Sequence, residues 1–227
     1  KSSMLELLSS CRILKVLDLT GMPLETFPKD VFKLIHLRYL SFRNTKVKML
    51  PSSIGMLQKL ETLDLKNTYI TELPVEILKL QQLRHLLVYR TEIYSYLPFD
   101  FTHGFVAPNG IGGLTSLQKL CFIEATNPGT SMLRELETMN QLRRLCILKL
   151  RKEDGMAVCS SIEKLCNLRS LNLASIDEDE ILDVRHLCHP PKFLQRLILT
   201  GRLEKIPYWM QFLHSLVKVY FRWSRLR

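Results

Sequence analysis

Long apolar runs are missing from this sequence. None of its 227 residues belongs to an unbroken apolar stretch of the roughly 18 residues that a membrane-spanning helix requires. The sequence also lacks an Asn-x-Ser/Thr glycosylation site. Its six cysteines form no C-x-x-C pair and match no disulfide framework or zinc-finger spacing. These absences predict a protein of a reducing, cytoplasmic compartment without a transmembrane segment.

Catalytic and nucleotide-binding motifs are equally scarce. Residues 110–113 are rich in glycine but lack the lysine and the serine or threonine of a phosphate-binding loop. They align with residues 53–57 of an earlier repeat, which predicts a structural turn on the convex side. No Ser-His-Asp or Cys-His set stands in a supporting motif. We therefore expect no enzymatic activity and no cofactor.

Cysteine and histidine come together at two places. A histidine–cysteine group at residues 186–189 follows Cys159 by about one repeat, but no pair has the close spacing of zinc ligands, so we expect no metal. Cys121 and Cys146 occupy the same position in adjacent repeats and can meet in space. In a reducing compartment such a pair stays reduced. The favoured interpretation of both groups is buried thiols and solvent-facing histidines.

Acidic residues are fewer than basic ones, with 22 Asp and Glu against 32 Lys and Arg, which leaves a net charge of +10. The positive charge is spread along the chain, without a polybasic arm or an Arg/Gly-rich tail. This distribution argues against nucleic acid as a partner and favours an acidic protein surface.

The sequence does contain a repeat. The pattern L-x-x-L-x-L recurs with a spacing of 23 residues between its first four copies, then 34, and then 22 to 26. Such a period indicates stacked units that bury a common core. The copies begin at Leu14, Leu37, Leu60, Leu83, Leu117, Leu142, Leu168, Leu194 and Leu216.

Each copy predicts a short strand whose leucines point inward. A second shared template, Leu-Pro-x-x-Ile, predicts that proline ends the extended segment and starts a short helix or turn. We therefore expect an α/β solenoid, a leucine-rich-repeat horseshoe with a concave parallel β-sheet and convex short helices or turns. We expect it to form one domain over residues 1–227, with about eight full repeats and a truncated one, and to be a fragment of a larger protein. Thr45, Thr68 and Thr91 are expected to bond neighbouring turns as an asparagine ladder would.

The 34-residue unit contains an aromatic insertion around residues 94–110. Leaving this many aromatic side chains in water costs free energy. We therefore expect the insertion to pack either onto its own solenoid, which is the favoured alternative, or against a partner. Its aromatic residues are Tyr94, Tyr96, Phe99, Phe101 and Phe105.

An apolar stripe is predicted on the concave face of the middle repeats, where outward strand positions change from polar to apolar. An exposed apolar stripe usually marks an interface, although the insertion or other domains would also cover it. The candidate binding residues in this stripe are Leu87, Tyr89, Ile123 and Leu148.

A basic edge is predicted along the early strands, interrupted by Glu61. It is either a solvated rim or a docking surface for an acidic protein. The candidate residues of this basic edge are Lys15, Arg38, Arg43, Lys66 and Arg84.

The chain resembles the leucine-rich-repeat domain of coiled-coil/nucleotide-binding (NB-ARC)/leucine-rich-repeat plant disease-resistance proteins. The Leu-Pro-x-x-Ile repeat is typical of the cytosolic plant class, and the likeness covers essentially all 227 residues, including the irregular unit. The segments that carry it are residues 83–90, 98–100, 106–112, 141–145 and 220–226.

The resemblance implies an intracellular immune receptor that takes part in effector-triggered defence. Its repeats would detect a pathogen effector or a guarded host protein and would hold the receptor's own nucleotide-binding module inactive. The nucleotide site of that family lies upstream, outside these residues. The implied location is cytoplasmic or peripheral at the plasma membrane. Two alternatives remain, a generic cytosolic leucine-rich-repeat scaffold and the substrate-recruiting repeat of a ubiquitin ligase.

Overall fold

Each repeat contributes one strand to a continuous parallel sheet. The computed structural model describes residues 11, 13–91, 99, 102–125 and 131–226. Their strands are β1 (Val16–Asp18), β2 (Tyr39–Ser41), β3 (Thr62–Asp64), β4 (His85–Leu87), β5 (Arg90–Thr91), β6 (Thr102–His103), β7 (Lys119–Glu124), β8 (Arg144–Leu150), β9 (Ser170–Ser175), β10 (Arg196–Thr200) and β11 (Lys218–Arg222). Nine of them form the main sheet in the order β1-β2-β3-β4-β7-β8-β9-β10-β11. The predicted horseshoe is therefore confirmed.

Short helices form the convex side. Prolines at positions 28, 51, 74 and 207 directly precede 3₁₀ helices, because proline has no N–H to lose at a helix start. The longer repeats form α-helices instead, α1 (Ser131–Glu135) and α2 (Gly155–Lys164). The 3₁₀ helices span Lys29–Lys33, Ser52–Met56, Val75–Lys79, Ile111–Gly113, Leu136–Thr138, Lys152–Asp154 and Tyr208–Phe212. Within the described ranges, no helix is long and apolar enough to cross a membrane.

The core lies between the sheet and these helices. Repeat leucines such as Leu40, Leu63 and Leu86 have no exposed surface. In the last repeat the equivalent Val219 is 38% exposed, because no further strand covers it. Stacking of successive repeats therefore produces the burial, as expected for a solenoid.

Two of the threonines that were expected to bond neighbouring turns form hydrogen bonds within their own repeats instead. The hydroxyls of Thr45 and Thr68 donate to the backbone carbonyl three residues earlier, at 2.7 and 2.8 Å, so each bonds within its own repeat. Thr91 lies in β5 and is exposed. The link between neighbouring repeats is made one residue earlier, where Asn67 Nδ2 donates to Asn44 Oδ1 over 2.9 Å. Both asparagines have positive φ, which Asn tolerates better than Thr.

The aromatic insertion returns to the solenoid. Strand β5, just before the insertion, pairs antiparallel with β6, which lies within it. Phe105 is fully buried, and the ring centre of Phe99 lies 6.3 Å from that of Trp223 in the last repeat. Packing onto the solenoid is thus confirmed for these two side chains. Tyr94, Tyr96 and Phe101 lie outside the described residues.

Candidate protein-binding surface

Alternation along the strands decides which side chains the concave face offers. In β4, Leu86 points into the core, and its neighbours His85 and Leu87 face outward and are half-buried. The register pairs Leu87 with Cys121 of β7. Equivalent outward residues therefore form rows that run across the repeats.

Strand β7 breaks this alternation. Its pairing with β8 shifts between Leu120 and Ile123, and Phe122 has a φ of 64°. As a result Ile123 is fully buried in the core, whereas Phe122 is only half-buried. The Phe122 ring centre lies 4.5 Å from that of Tyr89. The prediction that Ile123 faces outward is therefore wrong, and Phe122 occupies the partly exposed position instead.

The returning insertion accounts for this shift. The Phe105 N–H donates to the Phe122 carbonyl over 3.0 Å, and the Glu124 N–H donates to the Phe105 carbonyl over 2.9 Å. Gly104 lies so close that an added Cβ would collide with the Phe122 carbonyl oxygen. The Glu124 carboxylate accepts from the Gly104 N–H at 3.0 Å and from Lys149 Nζ at 2.7 Å. In the sequence, only the 34-residue spacing indicated an irregularity here, because phenylalanine fits the repeat pattern.

The remaining apolar candidates are less exposed than predicted. Leu87 and Tyr89 are half-buried, and burial raises the pKa of the Tyr89 phenol. Leu148 pairs with Glu124 on the outward row but is only 4% exposed. Side chains of adjacent strands stand one strand spacing apart and cover one another. The accessible part of the stripe is therefore Leu87, Tyr89 and Phe122, which we call the aromatic patch.

The basic edge of the early repeats is partly neutralised. Arg38 Nη1 lies 2.8 Å from Glu61 Oε1, and Arg84 Nε lies 4.0 Å from the other oxygen of the same carboxylate. Lys66 Nζ lies 3.5 Å from Asp64 Oδ2. Glu61, which the sequence presents as an interruption, therefore stands between two candidate cations. The other two candidates, Lys15 and Arg43, are exposed.

The cysteines of the middle repeats are covered thiols. Cys121 and Cys146 are both buried and hydrogen-bond to each other. That hydrogen bond and burial raise the pKa of Cys146, and burial raises the pKa of Cys159 to about 12. Cys146 and Cys159 are therefore protonated at neutral pH and poor as nucleophiles or metal ligands. Within the described ranges, no group of three or more His, Cys, Asp or Glu residues could hold a metal ion.

The glycine-rich turn has a structural role on the convex side. The Glu135 carboxylate of the next repeat accepts hydrogen bonds from the N–H groups of Gly110 and Gly112, at 3.0 and 3.2 Å. Two of the amides that could bind a phosphate are therefore already occupied. In a similar way, Glu163 accepts from the backbone N–H groups of Cys188 and His189.

Comparison with known proteins places this geometry among repeat proteins. The whole chain, residues 1–227, matches the family model described as a leucine-rich repeat region. A stretch of 111 residues is 33% identical to the disease resistance protein RPM1 of Arabidopsis thaliana, covering 49% of this chain and 12% of RPM1. Over 116 residues it is 31% identical to the disease resistance protein Pik-2 of Oryza sativa subsp. japonica, covering 48% of this chain and 11% of Pik-2. These matches thus span a small part of the relatives' length.

Solved structures show the same fold. A leucine-rich repeat protein of Leptospira interrogans superposes with a TM-score of 0.57 at 26% identity, covering 93% of this chain and 57% of that protein. Internalin C2 of Listeria monocytogenes superposes with a TM-score of 0.63 at 17% identity, covering 91% of this chain and 80% of internalin C2.

Proposed function

The chain belongs to the leucine-rich repeat region family, and we propose that it is the protein-recognition and autoinhibitory domain of an intracellular plant disease resistance receptor. The observation that carries this proposal is the likeness to disease resistance proteins of two plant species over about half of the chain. Residues 1–227 would form one domain of that receptor, which acts in the cytoplasm or peripherally at the plasma membrane.

We propose that the aromatic patch contacts the recognised protein, a pathogen effector or a guarded host protein. Tyr89 and Phe122 offer a paired aromatic surface, and half-buried aromatic rings supply large contact area at low cost in side-chain entropy. The exposed cations Lys15 and Arg43 flank β1 and β2 and would steer an acidic partner.

Recognition is tested in a full-length receptor that carries this domain. Replacing Tyr89 and Phe122 together by alanine should abolish the defence response to the matching pathogen, while the receptor stays silent at rest and accumulates normally. The matched control is Tyr208→Ala with Phe212→Ala, a second exposed aromatic pair whose rings lie 5.7 Å apart in a convex 3₁₀ helix. Equal loss in both variants would show that the patch has no special role.

We further propose that the basic edge docks the receptor's own nucleotide-binding module and keeps it inactive. Rim charges contribute only about 0.2–1 kcal/mol each, so several must be reversed together. Arg38 and Arg84 both form ion pairs with Glu61. A carboxylate of the partner that binds near either arginine would therefore join an existing ion-pair network.

Inhibition is tested by the triple reversal Lys15→Glu, Arg38→Glu and Arg43→Glu. It should release signalling without pathogen and reduce co-precipitation with the nucleotide-binding module. The control reverses three other cations, which lie in convex helices or in a turn: Arg134, Lys164 and Lys192. It changes the net charge by the same amount and should leave resting activity low. Unchanged resting activity and co-precipitation in the first variant would show that the basic edge is a solvated rim.

A further inference from the structure

A hollow lined by cations lies across the beginnings of the late strands. It has a volume of about 360 Å³ and is lined by no carboxylate. Its floor is Ser170, at the first position of β9. The lining cations are Lys119, Arg143, Arg144, Arg169, Arg196 and Lys218. We call this hollow the cationic pocket.

The strand register creates the pocket. Ser170 pairs with Arg144 on one side and with Arg196 on the other, so a short side chain stands between two long ones. Lys119 and Lys218 continue the same row outward, each beside its arginine. Neighbouring members of this row stand about 4.8 Å apart, the spacing of paired strands. The small serine therefore leaves a depression whose walls are guanidinium and ammonium groups.

The charges of the pocket are not neutralised by any acidic side chain of the described residues. Among the described residues none of the six cations has a carboxylate within ion-pair distance, in contrast to Arg38, Arg84 and Lys66 in the early repeats. Arg196 Nε is buried without a hydrogen-bond partner in the described part of the chain. Its guanidinium carbon lies 5.4 Å from the centre of the Tyr220 ring, which helps to hold it in place. Like charges at one strand spacing repel each other, so an anion in the pocket would relieve that repulsion.

From this arrangement we infer that the cationic pocket binds a small ligand carrying several phosphate groups. A phosphate group brings up to two negative charges and three acceptor oxygens, so about three of them match six cations within one pocket. Four of the cations are arginines, whose planar donor pairs fit phosphate oxygens. An extended acidic peptide places carboxylates on one face only about every 6.6 Å and fills such a site less densely. The volume falls in the range of about 300–1,000 Å³ that is usual for small-molecule sites.

The test is calorimetric titration of the 227-residue chain with inorganic tripolyphosphate. We expect saturable binding at least about tenfold tighter than that of inorganic phosphate, weakening as salt is added. Replacing the exposed residues Arg143, Arg144 and Arg169 by glutamine should weaken binding at least about tenfold. The control replaces Arg134, Lys164 and Lys192 by glutamine, which removes the same charge elsewhere and should change the affinity less than about twofold.

A second variant, Ser170→Glu, adds a carboxylate to the floor without removing a cation, and it should weaken tripolyphosphate binding as strongly. Circular dichroism would check that each variant is folded. Absence of saturable binding, or equal weakening in the control, would overturn the assignment, since bulk charge alone would then explain the interaction. Tighter binding of a glutamate-rich peptide than of tripolyphosphate would also overturn it and would identify the pocket as a docking surface for an acidic protein.

Discussion

Individual glycines are required where the backbone of one repeat meets the next. At Gly112, an added Cβ would collide with the carbonyl oxygen of Glu135 and lie 2.8 Å from the Thr138 hydroxyl. That hydroxyl also donates to the Gly112 carbonyl over 2.8 Å. At the next residue, Gly113, an added Cβ would meet no atom within 4 Å. Two adjacent glycines thus differ in how much space their surroundings leave.

We expect Gly112→Ala to lower the free energy of unfolding by about 1–3 kcal/mol, because the convex turn must move away from the next repeat. Gly113→Ala should change it by less than about 0.5 kcal/mol. Urea unfolding followed by circular dichroism measures both values. Similar losses in the two variants would contradict the close contact at Gly112.

A histidine on the concave face links stability to pH. His85 Nδ1 lies 2.9 Å from the Thr62 hydroxyl. Burial, with Lys119 and Arg84 nearby and opposed by Glu61, lowers the pKa of His85 below its ordinary value of 6.5. The unfolded chain therefore binds a proton at a higher pH than the folded chain. Stability from this group is fully present above about pH 6.5 and is lost as the pH falls through that value towards the folded pKa.

We expect the free energy of unfolding to fall between about pH 7.5 and about pH 5.5, and His85→Gln to reduce that fall. The measurement compares urea unfolding at the two pH values for the native chain and the variant. His214→Gln, at an exposed position, controls for the loss of one imidazole. A fall that is unchanged in His85→Gln would show that other groups cause the pH dependence.

At the level of elements, the repeat pattern predicts most of the fold. The leucine spacing locates the strands, and the proline template locates the 3₁₀ helices, because both depend on local chain geometry and on burial that is identical in every repeat. The bulge in β7 could not be predicted, since it depends on Phe105 returning from the insertion to pair with the strand end. One shifted residue then exchanges the inward and outward faces, so the candidate site was only partly predictable.

The bulge in β7 and the regular repeat pattern predict opposite rankings for the stability loss on replacing Phe122 and Ile123. Ile123→Ala should cost about 2–5 kcal/mol of unfolding free energy, because it empties a fully buried position. Phe122→Ala should cost less, since the half-buried ring mainly loses its contact with Tyr89. The two values come from urea unfolding. The regular repeat places Phe122 inside, so a larger loss for Phe122→Ala would support that register instead.

Across the whole molecule, charge is balanced differently along the sheet. The early strands carry acidic partners such as Glu61 and Asp64 beside their cations, whereas the lining of the cationic pocket contains none. The aromatic patch lies where these two regions meet, beside β4 and in β7. The concave face therefore presents three neighbouring surfaces of different chemistry.

The last strand leaves an apolar edge on the molecule. Strand β11 ends the main sheet, and beside it Val217 is 74% exposed and Trp223 46% exposed. A terminal strand presents unpaired N–H and C=O groups that can pair with another chain, and apolar side chains beside it add to the attraction.

We therefore expect this chain to self-associate increasingly with concentration, as analytical ultracentrifugation would measure. Val217→Lys with Val219→Lys should shift it towards monomer, because lysine on an edge strand opposes pairing. The control pair Met49→Lys and Val75→Lys lies at exposed positions of the early repeats and adds the same charge, so it separates the edge effect from general repulsion. A native chain that stays monomeric at high concentration would show that the edge is already protected, and equal effects of the two pairs would show that charge alone controls association.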